Sequence, residues 1–247
     1  MNDFLRDLFM AGVRWELSEN SVGFMEMMSR ASATMTRTRT AHTIVPPTSP
    51  VLPVSVETAN AMATRPTTTA ALDRMIEEFN HPLRSGVSNV VMPHCAPNPN
   101  GVMIITDIPS SDDDAAGKIL TGAAGELLDK MLGAIGLSRD LVSITPLLFW
   151  RTPGGRTPSR IELDLSRPFV NRFIELTEPR IIITLGTIAA TEIAGIDLMR
   201  AHGVPVDLPN GVHVFPIYHP NFLILKPASK REVWDALQNV QNLLKNV

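Results

Sequence analysis

A histidine stands directly after an apolar run near the C-terminal end of the chain. Residues 212–217 read Val-His-Val-Phe-Pro-Ile, and Tyr218, His219 and Pro220 come next. A short apolar run bounded by proline is typical of a buried strand that enters a loop. We therefore expect the imidazole of His219 at the edge of a sheet, where it can hold a ligand. The His-Pro pair alone is not specific for any one reaction.

Acidic and glycine residues in the middle of the chain could indicate two other kinds of site, a metal site and a dinucleotide site. Asp112, Asp113 and Asp114 are consecutive, but no histidine lies beside them at metal-ligand spacing. A solvated acidic loop is favoured over a metal site there, and we expect no metal. Gly122 and Gly125 do not complete the Gly-x-Gly-x-x-Gly pattern of a dinucleotide site.

The elements that must position these residues alternate between apolar strands and amphipathic helices. Apolar strands separated by helices indicate a parallel sheet that is covered on both faces. We predict an α/β fold with three α/β/α layers around a central, mostly parallel four-stranded sheet. The expected strands are residues 102–105, 141–149, 180–185 and 212–217, and the expected helices are residues 125–135, 167–176, 187–194 and 231–244.

The N-terminal part of the chain differs in composition from the rest. Residues 1–32 carry apolar side chains near helical spacing and are expected to form a helical arm. This arm either packs on the protein itself or docks on a protein partner, a role that its methionines would suit. Residues 33–70 are rich in threonine and proline and are expected to be a linker. The α/β domain is then expected to span residues 71–247.

Charge and cysteine content limit the classes of function. The net charge is −3 and the pI about 6.1, so no field of the whole protein draws it to nucleic acid or membrane, although a local basic patch stays open. The single cysteine, Cys95, excludes an internal disulfide and a cysteine-ligated metal cluster. The sequence has neither a long apolar span nor a secretory signal. A cytoplasmic protein with no membrane partner is therefore expected.

Four colinear segments carry a family resemblance. They are residues 104–129, 135–158, 179–186 and 219–224, and Lys230 and Trp234 follow them. The second segment ends in Arg-Thr-Pro-Gly-Gly-Arg-Thr-Pro, the third ends in Thr-Leu-Gly, and the fourth begins with His219 and Pro220. Together they resemble the uracil-DNA glycosylase superfamily, closest to its family 4 branch. The resemblance covers residues 72–244, roughly, and implies the fold of that superfamily.

The resemblance also implies roles for residues at the strand ends. His219 would donate to the base oxygen that gains negative charge as the glycosidic bond breaks. Asp107, where the family has glutamate, would orient the attacking water or the sugar; a structural carboxylate beside a helix N-terminus is an equal alternative. The base pocket would be formed by Thr106, Ile108, Pro109, Leu120 and Pro146.

Contacts with DNA would come from the loops at the same end of the sheet. The resemblance and the local positive charge together indicate that DNA is the partner, with phosphates neutralised by basic side chains. Phe222 or Leu223 would insert into the minor groove. The residues expected to contact DNA are Arg151, Arg156, Asn221, Phe222, Leu223, Lys226 and Lys230.

The chain departs from the family where the chemistry lies. Pro146 stands where an asparagine amide pairs with the uracil edge, and Leu120 stands where a phenylalanine stacks on the flipped base. Family 4 members commonly hold a four-iron cluster on cysteines, and the corresponding positions here are Glu78, His81, Trp150 and Ser166. No cofactor is therefore expected, and Trp150 and Phe169 are expected to fill that space.

Two main hypotheses follow. The first is a uracil-DNA glycosylase-like repair enzyme that hydrolyses the N-glycosidic bond of a deaminated or damaged base, with weak activity on uracil. The second is a relative without catalysis that acts as a DNA-binding or scaffold protein through its N-terminal arm. An unrelated nucleotide-binding α/β protein is a third reading, which the four colinear segments disfavour.

Overall fold

A twisted, mostly parallel sheet carries the strand ends on which the site is built. The computed structural model describes residues 54–246. Within this range the sheet has five strands in the order β2-β1-β3-β5-β4. The strands are β1 (Val102–Thr106), β2 (Val142–Pro146), β3 (Ile181–Leu185), β4 (Val206–Asp207) and β5 (His213–Ile217).

The expected fold class is confirmed, with one correction to the number of strands. The four strands expected from the sequence are β1, β2, β3 and β5, and they pair in parallel. The additional strand β4 pairs with β5 in the antiparallel direction. It contains two residues, which are too few to give a periodic hydrophobic pattern.

Helices cover both faces of the sheet. None of those between residues 54 and 246 is long and apolar enough to cross a membrane. In chain order they are α1 (Val56–Ala63), α2 (Thr69–Glu78), α3 (Ser111–Ala116), α4 (Gly122–Ala134), α5 (Arg160–Thr177), α6 (Thr187–Ala194), α7 (Leu198–Ala201), α8 (Pro220–Leu225) and α9 (Lys230–Asn246).

Successive side chains along each strand point to opposite faces of the sheet, so the core has two layers, one on each face. Val102 and Ile104 of β1 pack on the face that is covered by α4, α8 and α9. Met103 and Ile105 pack on the opposite face, which is covered by α1, α2 and α5. Both sets are buried, as expected for a parallel sheet between two helical layers.

Helix α5 begins earlier than the sequence pattern indicated. The expected start at Arg167 suits a proline in the first helical turn, but Pro168 lies inside the helix. The helix instead begins after Ser159, whose hydroxyl accepts from the backbone N–H of Glu162 while the Glu162 carboxylate accepts from the N–H of Ser159. This reciprocal capping box compensates the free N–H groups of the first turn.

Part of the segment expected to be a linker is a packed helix. Helix α1 lies within residues 33–70, and its Ala59 and Ala63 are buried against α5. Small side chains allow the two helices to approach closely, so the apolar surface of the domain extends to residue 56. The arm expected at residues 1–32, and the linker up to residue 53, lie outside the described residues.

Replacing Ala59 tests whether α1 is a packed helix or part of an unpacked linker. Ala59→Leu adds side-chain volume at a fully buried position, so we expect the free energy of unfolding to fall by about 1–3 kcal/mol. Ala61→Leu in the same helix is the control because Ala61 is exposed, and its effect should stay within about 0.5 kcal/mol. Urea unfolding of the full chain measures both, and equal stability of the two variants would contradict the packed helix.

Candidate active site

The candidate site lies where the chain reverses direction across the sheet. From β1 the chain moves to β2 at one edge, and it then returns to β3 on the other side of β1. The carboxyl ends of β1 and β3 therefore open a crevice, which is the usual ligand position in open parallel sheets. Asp107 follows β1, Gly186 follows β3 and His219 follows β5, so all three lie at this end.

The Asp107 carboxylate caps the amino end of α6. Its Oδ1 accepts from the backbone N–H of Ala189 at 2.6 Å. Burial raises the pKa of Asp107 to about 6, although the N–H groups of Ala189, Ile188 and Thr187 act in the opposite direction. A Cβ at Gly186 would lie 2.2 Å from Oδ2, so only glycine fits there, and its φ of +104° also favours glycine. Asp107 thus makes the contacts of a structural carboxylate, and the residue is half-buried at the crevice.

The His219 imidazole is held in one orientation at the start of α8. Its Nδ1 accepts from the backbone N–H of Asn221 at 3.1 Å. A neutral imidazole then carries its hydrogen on Nε2, which becomes a donor. Burial lowers the pKa of His219 to about 4, although the charge of Asp113 acts in the opposite direction. Near neutral pH the side chain is thus an uncharged hydrogen-bond donor.

Asp113 corrects the interpretation of residues 112–114 as a solvated acidic loop. The side chain is buried, and Oδ1 accepts from the backbone N–H of Thr121 at 2.7 Å and from its hydroxyl at 2.8 Å. Oδ2 accepts from the N–H of Ser110 at 2.9 Å, which completes a capping box for α3. The spacing Ser110-x-x-Asp113 is the sequence signal that could have indicated this helix start.

Its neighbour Asp114 also has a structural partner. The Asp114 carboxylate accepts from the backbone N–H groups of Ser88 and Asn89 at 2.9 and 3.0 Å. Among the described residues there is no group of three His, Cys, Asp or Glu side chains that could hold a metal ion. The acidic segment therefore ties the loop after β1 to its surroundings.

The expected base-pocket residues lie at or after the ends of β1 and β2. Thr106 is in register with Pro146 of β2 and with Leu185 of β3, so these side chains share one face of the sheet. Thr106 and Pro146 are buried. After β1, Pro109 is buried and Ile108 is half-buried against the other layer of the core. The structure brings Thr106 and Pro146 together and places Ile108 on the opposite side.

Leu120 is fixed by its backbone as well as by packing. Its φ is +51°, a left-handed conformation that leucine rarely adopts. The Arg139 guanidinium donates to its carbonyl oxygen at 2.6 Å, and a Cβ at Gly125 would lie 1.9 Å from the same oxygen. The Leu120 side chain is buried in the same core layer as Leu223. A glycine at 125 is thus required by the strained turn before α4.

Arg156 is engaged within the protein. Its guanidinium donates to both carboxylate oxygens of Glu162, at 2.9 and 2.6 Å. This hydrogen bonding is the largest cause that lowers the pKa of Glu162 to about 2. The pair ties the loop after β2 to the first turn of α5. Arg151, in the same loop, is half-buried.

The apolar side chains that α8 exposes to solvent are not the ones expected from the sequence. Leu223 is 1% exposed and belongs to the core, so it cannot insert into DNA. Phe222 is half-buried, with its ring centroid 4.7 Å from that of Tyr218 and the Lys226 Nζ at 5.2 Å. The exposed apolar side chains are Ile224 and Leu225, the latter 81% exposed. The remaining expected DNA contacts on this surface, Asn221, Lys226 and Lys230, are exposed.

Comparison with known proteins agrees with this geometry. Residues 92–238 match the family model of the uracil DNA glycosylase superfamily. The match spans more than half of the chain, and the chain belongs to this superfamily. Within the superfamily it is similar to the family 4 branch, as expected from its motifs.

Individual relatives point to the same branch. A type-4 uracil-DNA glycosylase of Pyrobaculum aerophilum is 34% identical over 147 residues, which cover 53% of this chain and 72% of that protein. A type-4 uracil-DNA glycosylase of Archaeoglobus fulgidus is 31% identical over 140 residues, which cover 53% of this chain and 70% of that protein.

A relative with another name matches a similar share of the chain. A DNA polymerase of Bacillus phage SP01 is 28% identical over 130 residues, which cover 51% of this chain and 14% of the polymerase.

The residues at the positions of the family's iron–sulfur cysteines do not fit a cluster. Glu78 is exposed, and the three others are fully buried side chains without a thiolate. His81 stacks on Trp150 with ring centroids 4.4 Å apart and planes 2° apart. Its Nε2 lies 3.1 Å from the carbonyl oxygen of Glu162, and its Nδ1 accepts from the N–H of Leu83.

Aromatic packing occupies this region, as expected for Trp150 and Phe169. Phe79 lies between them, with ring centroids 6.1 Å from Trp150 and 5.0 Å from Phe169. Both expected residues are fully buried, and Ser166 is buried beside them on α5. Cys95 is exposed and outside this group. We name the set Phe79, His81, Trp150 and Phe169 the aromatic cluster.

The aromatic cluster should stabilise the fold without bound iron. Protein purified anaerobically is expected to contain no stoichiometric iron, because clusters are held by thiolates. Trp150→Ala should lower the free energy of unfolding by about 3–5 kcal/mol, whereas Trp234→Ala, at a 40% exposed position, should cost much less. Metal analysis and urea unfolding measure the two effects. Bound iron, or equal losses in the two variants, would contradict this assignment.

Proposed function

We propose that this protein binds DNA and hydrolyses the N-glycosidic bond of a deaminated or damaged base, with weak activity on uracil. The observation that carries the proposal is the neutral, oriented imidazole of His219 at the carboxyl end of β5, in a chain whose relatives are named uracil-DNA glycosylases. The proposed setting is cytoplasmic, in keeping with the single cysteine.

In the proposed reaction His219 stabilises the leaving base. As the bond between the sugar C1′ and the base nitrogen breaks, its electron pair moves onto the base. The Nε2–H of His219 donates to the base oxygen that gains this charge, an interaction that is stronger in the transition state than in the bound substrate. Burial keeps the imidazole uncharged, so no proton has to leave it before the reaction.

Asp107 supplies the second part of the proposed reaction. Water attacks C1′, its oxygen forms the new bond, and its proton goes to the Asp107 carboxylate. Since the pKa of Asp107 is raised to about 6, this carboxylate is ionised near neutral pH and basic enough to accept the proton. One of its oxygens remains bound to Ala189, which fixes the orientation of the carboxylate.

Weak discrimination between bases follows from two substitutions in the expected pocket. Pro146 has no side-chain polar group to pair with the base edge. Leu120 offers no aromatic ring for stacking, which is worth about 1–3 kcal/mol per base. The proposed enzyme thus keeps the group that stabilises the leaving base and lacks most of the selective contacts.

The proposed DNA surface combines α8 with the basic residues around it. Lys226 and Lys230 are exposed beside α8, and Arg151 lies in the loop after β2. We assign the minor-groove wedge to Leu225, because Leu223 belongs to the core and Phe222 is half-buried against Tyr218. Arg156 contributes by holding its loop in place, since its guanidinium is bound to Glu162.

A second candidate function is DNA binding or scaffolding without catalysis. Two observations favour it: the Asp107 carboxylate already caps α6, and Pro146 replaces the amide that reads the base. In this case residues 1–32 would contact a protein partner. Binding to lesion-containing DNA without release of base distinguishes this candidate from the first.

Replacing His219 should abolish most of the excision. We expect His219→Ala to lower the single-turnover rate of uracil release by about 10²–10³-fold, the usual cost of removing one oxyanion donor. His213→Gln is the matched control, because His213 lies at the other end of β5 and pairs with Asp207. Base release from single-stranded DNA measures both rates. Equal losses, or full activity of His219→Ala, would refute the role of His219.

The pH profile of the same assay tests Asp107. Lowering the pH through about 6 protonates Asp107, so the rate should fall toward tenfold per pH unit below that value. His219 stays neutral over this interval because its pKa is about 4. Asp107→Asn should lower the rate and remove the dependence. A profile that stays unchanged in Asp107→Asn would assign the titration to another group.

Replacing Leu225 should weaken binding to DNA while the fold is kept. Leu225→Ala removes an 81% exposed side chain, so affinity for a duplex with an abasic site should fall about 3- to 10-fold without a change in melting temperature. Ile161→Ala, at a 56% exposed position on α5, is the matched control and should bind normally. Leu223→Ala should instead lower the unfolding free energy by about 2–5 kcal/mol. Normal binding by Leu225→Ala would refute the assignment of the wedge.

A further inference from the structure

We propose that the Thr106 hydroxyl is the polar group that binds the edge of the extruded base. This inference rests on the proposed function and identifies the part of the pocket that replaces the missing amide. Thr106 is the last residue of β1 and is 2% exposed. Its Oγ1 is buried and has no hydrogen-bond partner within the described protein.

The alternation along β1 places the Thr106 side chain on one defined face of the sheet. Thr106 follows Val102 and Ile104 in the alternation of β1, so its side chain lies on the face that also packs Leu120 and Leu223. This is the layer that contains α8, whose first residue follows His219. The Thr106 side chain is thus at the carboxyl end of β1, in the core layer to which α8 contributes Leu223.

Thr106 is the polar member of an otherwise apolar row. The residues in register at the ends of the parallel strands are Thr106, Pro146, Leu185 and Ile217. The neighbouring backbone groups are occupied, because the N–H of Leu147 donates to the carbonyl oxygens of Thr106 and Asp107, and the Thr145 hydroxyl donates to that of Pro146. These four side chains are buried in the free protein, so a base edge has to displace the residues that cover the row, and Thr106 is then its one side chain able to hydrogen-bond to the base.

An unpaired buried hydroxyl is unfavourable in the free protein, and such a group in a native structure calls for an explanation. A bound base that pairs with it removes this cost. Under the proposed function, the partner of this hydroxyl is the edge of a uracil-like base, which offers C=O and N–H groups. A hydroxyl both donates and accepts and rotates to suit its partner, so it binds this edge without fixing the order of donor and acceptor. The proposed weak discrimination between uracil and cytosine has this cause.

The sheet offers a matched control for this role. Thr184 of β3 also has a buried, unpartnered Oγ1 and is 0% exposed. It is in register with Ile105, so its side chain lies on the opposite face of the sheet, away from His219. Thr106→Val and Thr184→Val therefore make the same chemical change in adjacent strands, and only the first removes the proposed contact.

Calorimetric titration of the full chain with free uracil tests the proposal. We expect Thr106→Val to weaken binding about 3- to 10-fold, the range for one net hydrogen bond. Thr106→Ser, which keeps the hydroxyl, and Thr184→Val should stay within about twofold of the original protein. Both valine variants should melt at or above the original temperature, because each removes an unsatisfied group.

The outcomes separate this proposal from the proposed function. Equal uracil affinity of Thr106→Val and the original protein overturns the role of Thr106, as does an equal loss in Thr184→Val. A lower melting temperature for Thr106→Val alone also overturns it, because the hydroxyl would then have a partner inside the protein. If the original chain neither binds uracil nor releases it from DNA, the proposed function fails as well. If the original chain releases uracil from DNA and Thr106→Val binds uracil as tightly as the original chain does, only the Thr106 proposal fails.

Discussion

The hydrogen bonds between Asp107 and the first turn of α6 fix the geometry of the crevice. They join the residue after β1 to the helix after β3, so the two strands that diverge at the switch point are held together at their carboxyl ends. Burial opposes ionisation of this carboxylate while the amide groups favour it. The absence of a side chain at Gly186 allows the approach.

Another carboxylate, the buried Asp113, organises the other side of the site. It binds the backbone of Ser110 and the backbone and hydroxyl of Thr121, and thereby closes the loop between β1 and α4. Its charge also acts on His219, although burial has the larger effect on that pKa. One acid thus orders the crevice, and another shapes the electrostatic surroundings of the imidazole.

Much of the fold could be predicted from the sequence, because long apolar strands and amphipathic helices follow simple periods. The positions of β1, β3 and α6 are examples. Short or unusual elements could not be predicted in this way. Helix α1 has a threonine-rich neighbourhood but is held by buried alanines, and Pro168 lies within α5, where proline would normally indicate a helix start.

Within the candidate site, the family pattern predicted His219 and Asp107 as site residues, while the positions of individual loop side chains depended on packing. Leu223 and Leu225 differ in burial although both lie on α8. This helix has six residues, which are too few for a hydrophobic period to predict which side chains are buried. Likewise Arg156 has a charge that suits phosphate, and only the structure shows its bidentate pair with Glu162.

The aromatic cluster changes what the protein needs in order to mature. His81, Trp150 and their neighbours pack through rings that are part of the polypeptide. We therefore expect the contact between the loop before β1 and the segment after β2 to form as the chain folds, without a delivered component. Because the residues present do not fit a cluster, we expect the fold to form independently of the cell's iron supply and to resist oxidants and chelators in this region.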